Sequence, residues 1–420
     1  MSQIVINGKK ALNGEIKVQG AKNSVLPILA ATILCKGECV IHNVPDLSDV
    51  NSCLKILTKL GARSLRDGNT VIVDTRDIAF YSIPEVLTRE MRSSVMFLGA
   101  ILGRMNKAVI SSPGGCELGP RPIDLHLSAL SQMGVKISEE HGFLNCEAAD
   151  GIKSSEISLS FPSVGATENI ILAAATANGT TVIHNAAKEP EISDLADFLN
   201  SAGARISGAG SDTVYIKGVK RLWGTEHTII PDRIAAATYM AATAVTGGKV
   251  KLSGIMPSHM VAILSVFRES GCDIDIVGKS LTVSSNGRLN RVPTIRSFTY
   301  PAFPTDAGPI IISILTRARG TSVFAENIFE NRFRYIDELK RLGANIKTSG
   351  KIAVIEGGGE LSGANCKATD LRGGAALVIA GLCANGTTAI DEIHHIERGY
   401  DNIVENLKKL NADISLRNDI

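Results

Sequence analysis

The residues best suited to chemistry sit in one stretch, Ser112-Pro-Gly-Gly-Cys116-Glu-Leu-Gly-Pro-Arg121-Pro-Ile-Asp124. Gly114 and Gly115 free the backbone, and Pro113 and Pro120 bracket a loop able to swing. A thiol in that setting differs from one buried in a helix or strand. It starts from a pKa of about 8.5 and is mostly protonated at neutral pH. Nearby cations would lower that value, and the adjacent Glu117 would raise it. Cys116 can therefore serve as a general acid or, once deprotonated, as a nucleophile.

A second constellation lies where apolar helices start. Six such helices are preceded by Lys22-Asn23-Ser24, Arg92-Ser-Ser94, Thr167-Glu-Asn169, Asp232-Arg233, Thr305-Asp306 and Asp370-Leu-Arg372. Ser, Thr, Asn and Asp are ordinary N-caps. Lys22, Arg92, Arg233 and Arg372 are not, because the helix dipole is already positive at that end. A basic side chain there fits an anion bound between it and the helix N-terminus. Asp306 reads either as a cap or as a carboxylate able to take a hydroxyl proton. Arg398, in His394-His-Ile-Glu-Arg398-Gly-Tyr400, stands just before the last amphipathic helix.

These residues are positioned by a repeat. A Gly- or Asn-centred helix end recurs at Gly37, Asn106, Gly179, Gly248, Gly320 and Gly386, spaced 66 to 73 residues apart. A second helix end keeps the same beat at Gly61, Gly134, Gly203, Gly271, Gly343 and Asn411. Repetition at a long fixed period implies one supersecondary unit used six times. The third copy predicts a helix over 170–177, a strand over 181–184, an amphipathic helix over 190–202, and a hairpin of 204–207 with 213–217. The first helix of each copy is apolar nearly all round, as in 25–34, 95–102, 235–243, 310–315 and 375–382, and belongs inside. The second has one apolar stripe and should cover a sheet. Helices inside and sheets outside is the reverse of a (β/α)₈ barrel.

The sixth copy lacks its last hairpin strand. Ile4-Val-Ile-Asn-Gly8 matches Val214-Tyr-Ile-Lys-Gly218 and Val354-Ile-Glu-Gly357, so the N-terminal segment supplies it. The expected domains are 1–21 with 230–420, and 22–229 carrying the Cys116 loop.

Bulk properties exclude several classes. With 44% hydrophobic and 20% charged residues, the chain has the composition of a soluble globular protein. A net charge of +2 and 4% aromatics give no basic patch or stacking platform for nucleic acid. No apolar h-region occurs over 1–20, and no apolar run is long enough to span a membrane. A cytoplasmic location follows as an expectation. Eight scattered cysteines form no CxxC pair, so neither a metal site nor a disulfide framework is expected. Seven of them read as small buried hydrophobes. No cofactor motif and no obligate protein partner are evident.

Taken together, the chain resembles the enolpyruvyl transferases, and within them those that act on UDP-N-acetylglucosamine. The likeness runs from Gly20-Ala-Lys22-Asn23-Ser24 through Gly114-Gly-Cys116-Glu-Leu-Gly-Pro-Arg121-Pro-Ile-Asp124-Leu125-His126, Ser163-Val-Gly165-Ala-Thr-Glu-Asn169, Phe303-Pro-Thr-Asp306 and Ile328-Phe-Glu-Asn-Arg332-Phe333 to His395-Ile-Glu-Arg398-Gly-Tyr400. The family members acting on shikimate 3-phosphate share the fold but not this cysteine loop. The resemblance implies an α/β protein of two inside-out α/β barrels, three βαβαββ-type repeats each, closing over a cleft. It implies transfer of the enolpyruvyl group of phosphoenolpyruvate to the 3′-hydroxyl of UDP-N-acetylglucosamine, with phosphate released, in peptidoglycan precursor synthesis. Carried over residue by residue, Lys22 and Asn23 contact phosphoenolpyruvate, and Arg121 and Arg398 join Lys22 around its charges. Cys116 protonates the enol methylene. Arg92, Arg121, Pro122, Ile123, Asp124, Leu125, Ser163, Val164, Gly165, Asp306 and Ile328 hold the nucleotide sugar, with Asp306 also the base. Two departures stand out: Phe161 replaces a common Lys, and Ala307-Gly-Pro309 follows Asp306 where a bulky residue and Gln are usual.

Overall fold

The computed structural model describes residues 2–111 and 123–418. Cys116, Arg121 and Pro122 lie outside the described residues, as does the side chain of Arg92. The chain divides into two compact units that exchange after Gln19 and after Ile230.

In the unit holding 20–230, three helices are buried over nearly their whole length: Lys22–Ala31, Met96–Met105 and Val164–Ala174. Small sheets accompany them, each built around an antiparallel pair: Glu38–His42 with Thr70–Asp74, Lys107–Ser111 with Phe143–Glu147, and Thr180–His184 with Thr213–Lys217. Three amphipathic helices complete the unit: Ser48–Leu60, Asp124–Gln132 and Pro190–Ser201. The first of them buries Val50, Cys53, Ile56, Leu57 and Leu60, the stripe its 3.6-residue period dictates.

The other unit has the same plan. Its buried helices are Arg233–Thr246, Gly308–Leu315 and Leu371–Cys383. Each of its three sheets has four strands. Ser2–Asn7 lies between Thr387–Asp391 and Asp413–Asn418, antiparallel to both, with Ile4 opposite Ile390 and Leu416. Leu12–Lys17 runs parallel to Gly248–Ser253. Ile4, Ile6 and Leu12 are fully buried, so this segment is core, and each such side chain contributes about 1.5–3 kcal/mol.

The repeat markers have a physical basis. A Cβ on Gly8, Gly218 or Gly357 would collide with the carbonyl of Ala384, Ala177 or Ala318, each just past the end of a buried helix. The three hairpins thus dock the same way, and only glycine permits the approach.

The buried helices begin earlier than their apolar runs. Lys22, Arg233 and Arg372 sit inside the first turn rather than ahead of it. Unpaired N–H groups at a helix start need acceptors, so polar residues extend the helix upstream of its apolar part. The helix expected over 170–177 spans Val164–Ala174 and takes Glu168 and Asn169 inside, both buried.

Candidate active site

Asp232 and Asp370 are true caps. Asp232 accepts from Ile234 N and Ala235 N, and Asp370 from Arg372 N and Gly373 N. Asp306, at the matching place in the intervening repeat, is not the N-cap of its helix. Its helix starts at Gly308 with Pro309, while Asp306 lies in the preceding 3₁₀ turn Thr305–Ala307. Its carboxylate instead meets two buried arginines. Arg332 Nη2 donates to Oδ1 at 3.1 Å, and Arg372 donates to Oδ2 through Nε and Nη2, each at 3.3 Å. Both guanidinium side chains are 3% exposed. Arg332 also donates to Thr305 O, which fixes the turn itself. The guanidinium of Arg372 lies 5.4 Å from the Tyr400 ring, and that of Arg233 lies 5.6 Å from the Tyr300 ring. Arg332 Nε and Arg372 Nη1 are buried and find no acceptor among the described residues. Buried donors in that condition are costly unless something else accepts from them.

Arg398 follows the short helix His394–Glu397 and is half-buried. Gln19 braces that segment, donating to Gly399 O and accepting from Asp401 N. Ile328 is half-buried on the loop after strand Gly320–Ala325. Arg233, Asp306, Ile328, Asp370, Arg372 and Arg398 thus all belong to the unit of 231–420.

In the other unit Lys22 opens its helix without a side-chain cap before it. Its Nζ lies 2.8 Å from Asp49 Oδ2, with side chains 12% and 4% exposed. Asn23 is exposed, and Ser24 is buried and donates to Asp194. Asp194 also meets His227 Nε2 at 2.9 Å and accepts from Ile230 N. Asp194 therefore pins the turn that carries Lys22 and Asn23.

Ile123, Asp124 and Leu125 start the helix Asp124–Gln132, and Ser163, Val164 and Gly165 start Val164–Ala174, with Ser163 its cap. One buried pair locks these starts. The Asn169 amide donates to His126 Nδ1 at 2.7 Å and to Val95 O at 2.9 Å, while its oxygen accepts from Gly99 N. A Cβ on Gly165 would lie 3.0 Å from His126, so that glycine admits the imidazole. Burial pushes His126 down to about 4, against a smaller opposing effect of Asp124, and the ring is neutral near pH 7. Phe161 is exposed beside Ser163.

Sequence reasoning missed Asp49, Asp194, Glu326 and the role of Arg332. An acidic residue in a first turn is an ordinary dipole partner, so nothing marks Asp49 as special. Arg332 lies in the segment Ile328-Phe-Glu-Asn-Arg332-Phe333, where nothing local marks it as a partner of Asp306.

The described cysteines, Cys35, Cys39, Cys53, Cys146, Cys272, Cys366 and Cys383, are all buried and free. Among the described residues no group of His, Cys, Asp and Glu is arranged to hold a metal, and no helix is long and apolar enough to cross a membrane.

Residues 6–407 match the model of the EPSP synthase (3-phosphoshikimate 1-carboxyvinyltransferase) family. The chain is 50% identical to UDP-N-acetylglucosamine 1-carboxyvinyltransferase 2 of Caldanaerobacter subterraneus over 99% of both chains. It is 47% identical to the Clostridium tetani protein of the same name, again over 99% of each. Among solved structures it resembles the enolpyruvyl transferase NikO from Streptomyces tendae, with a TM-score of 0.89 at 24% identity, covering 100% of this chain and 99% of that one. EPSP synthase from Acinetobacter baumannii matches over the full length of both with a TM-score of 0.74 at 18% identity. Those structures share its α/β fold. With the whole chain matched at such identity, this protein belongs to the enolpyruvyl transferase family, among the UDP-N-acetylglucosamine 1-carboxyvinyltransferases.

Proposed function

We propose that this protein transfers the enolpyruvyl group of phosphoenolpyruvate to the 3′-hydroxyl of UDP-N-acetylglucosamine and releases phosphate, the first committed step of peptidoglycan precursor synthesis in the cytoplasm. Kinship supplies the substrates. The observation that carries the chemistry is Asp306, a carboxylate released from capping and held by Arg332 and Arg372, two arginines that keep spare buried donors.

In this reading Asp306 takes the proton of the sugar hydroxyl as its oxygen bonds to C2 of phosphoenolpyruvate, and Cys116 delivers a proton to C3. The tetrahedral adduct then loses a C3 proton and breaks its C2–O bond to phosphate, restoring the enol ether. Lys22, Arg121 and Arg398 stabilise the phosphate and carboxylate charges, and Asn23 contacts the same substrate. The nucleotide sugar is assigned to Arg92, Arg121, Pro122, Ile123, Asp124, Leu125, Ser163, Val164, Gly165, Asp306 and Ile328. Arg233 and Arg372 add positive charge near helix starts, and Asp370 is assigned there as the cap that sets Arg372. Each unit is read as an inside-out α/β barrel of three βαβαββ-type repeats, on the support of its three buried helices and recurrent hairpins.

Phosphate release from phosphoenolpyruvate tests this. It should require UDP-N-acetylglucosamine and proceed without added metal or cofactor. Release that depends on shikimate 3-phosphate instead would overturn the assignment.

A further inference from the structure

We propose that Glu326 is a positioning residue that locks the Asp306 turn and the Ile328 loop into one rigid edge, so that both meet the nucleotide sugar in fixed register; this rests on the function proposed above. Glu326 directly follows the strand Gly320–Ala325 and is 1% exposed. Both of its oxygens are engaged. Oε1 accepts from the backbone N–H groups of Ile328, at 2.7 Å, and Phe329, at 3.1 Å. Oε2 accepts from the Thr305 hydroxyl at 2.8 Å. The carbonyl of Thr305 in turn accepts from Arg332 Nη2, the nitrogen that also holds Asp306 Oδ1. A continuous path of bonds therefore runs from the Ile328 amide through Glu326, Thr305 and Arg332 to the Asp306 carboxylate. Asn327 is fixed independently, its N–H donating to Ser297 Oγ and its amide to Ser297 O, both at 3.0 Å.

The chemistry of the tie explains its stiffness. Hydrogen bonds to a carboxylate are about twice as strong as neutral ones. Buried, they cannot be traded for water, so removing one partner strands the other. A reacting group displaced by about 1 Å can cost 10²-fold in rate. Glu326 touches neither reacting atom. It sets where Asp306 and Ile328 stand relative to each other.

Three variants separate positioning from plain stability. Thr305→Val keeps the shape and removes only the hydroxyl. Glu326→Ala removes the whole tie. Glu326→Gln keeps an oxygen for the Ile328 and Phe329 amides and offers Thr305 an amide donor, since the hydroxyl can also accept. Thr305→Val and Glu326→Ala should raise KM for UDP-N-acetylglucosamine at least about fivefold, with KM for phosphoenolpyruvate within about twofold of the starting protein. Glu326→Gln should come back to within about threefold on both. Ser270→Ala serves as the control. It removes a buried hydroxyl bonded to Phe267 O at 2.7 Å in the same unit, and should lower Tm without moving either KM. Unchanged KM values in Thr305→Val and Glu326→Ala, or equal rises for both substrates, would overturn the proposal. Amide exchange reads the tie without turnover: Ile328 and Phe329 should exchange at least about tenfold faster in Glu326→Ala. If the starting protein releases no phosphate from the two substrates, the proposed function fails, and exchange at these amides still decides whether Glu326 holds the loop. Should Glu326→Ala not fold, Thr305→Val decides on its own, by its KM split and by the same exchange measurement.

Discussion

Arg372 reaches Asp306 with two nitrogens, Nε and Nη2, each 3.3 Å from the same carboxylate oxygen. The two residues stand near the starts of successive buried helices, and Arg372 is itself set by the Asp370 cap two residues before it. Repetition thus places a cation from one copy against an aspartate of the copy before it. The other oxygen is taken by Arg332. The Arg372 fork on one side and the single Arg332 nitrogen on the other orient the carboxylate in a way a lysine ammonium would not.

Asp306→Asn keeps the shape and removes the proton acceptor. Its kcat should fall by about 10²- to 10⁴-fold, the usual worth of a positioned general base. Arg332→Lys should also lose activity, because a shorter, flexible ammonium lacks the planar group that holds Nη2 between Thr305 O and Asp306 Oδ1. Phosphate release at saturating substrates measures both. An Asp306→Asn variant with more than a tenth of normal kcat would remove Asp306 from the role of base.

Lys22 and Asp49 form a nearly buried ion pair at 2.8 Å. Removing one partner of such a pair costs about 3–5 kcal/mol, because the remaining charge loses its ion-pair contact in a buried setting. Asp49→Ala should therefore destabilise the protein strongly, and Lys22→Met with Asp49→Leu together should cost less than the sum of the single changes. Chemical denaturation of the four proteins gives the coupling. Additive effects would show that Asp49 does not hold Lys22.

Alkylation of the folded protein should label Cys116 first. Burial raises the thiols of Cys146 and Cys366 to about 11 and that of Cys383 to about 12. Cys39 is pulled down by its hydrogen bond with Cys35, but it is fully buried and shielded from reagent. Thiolate character and access together govern the rate. Mass mapping after brief iodoacetamide treatment, with Cys116→Ser as the comparison, checks the order. Prior labelling of Cys39 would show that access is less restricted than burial implies.

His126 makes stability depend on acid. Its folded pKa of about 4 lies below the value near 6.5 of an unfolded chain. The unfolded state then binds the extra proton first. Stability is complete above about pH 6.5 and drains away as pH falls toward 4, by up to roughly 3 kcal/mol. His126→Gln should flatten that slope. Denaturation midpoints at pH 7.5 and 4.5 compare the two proteins, and parallel losses would assign the effect to other groups.

Some of this was written in the order of residues. The positive φ at Gly37, Asn106, Gly179, Gly248, Gly320 and Gly386 is a local property, and so is the burial of apolar helices such as Leu371–Cys383. Periodicity and turn chemistry act over a few neighbours, so they can be read without a fold. The same holds for the seven cysteines set in apolar surroundings. Asp306 is a candidate in the sequence with two readings, because a cap and a carboxylate held by arginines have the same local signature. Its release from capping depends on Pro309 starting the helix late and on arginines 26 and 66 residues away. The Lys22–Asp49 pair and the Glu326 tie join different elements of one repeat, and the Ser24–Asp194 bond, across 170 positions, joins two repeats. Their partners come together through the packing of buried helices and sheets, a three-dimensional fit that no local pattern of apolar and polar residues encodes.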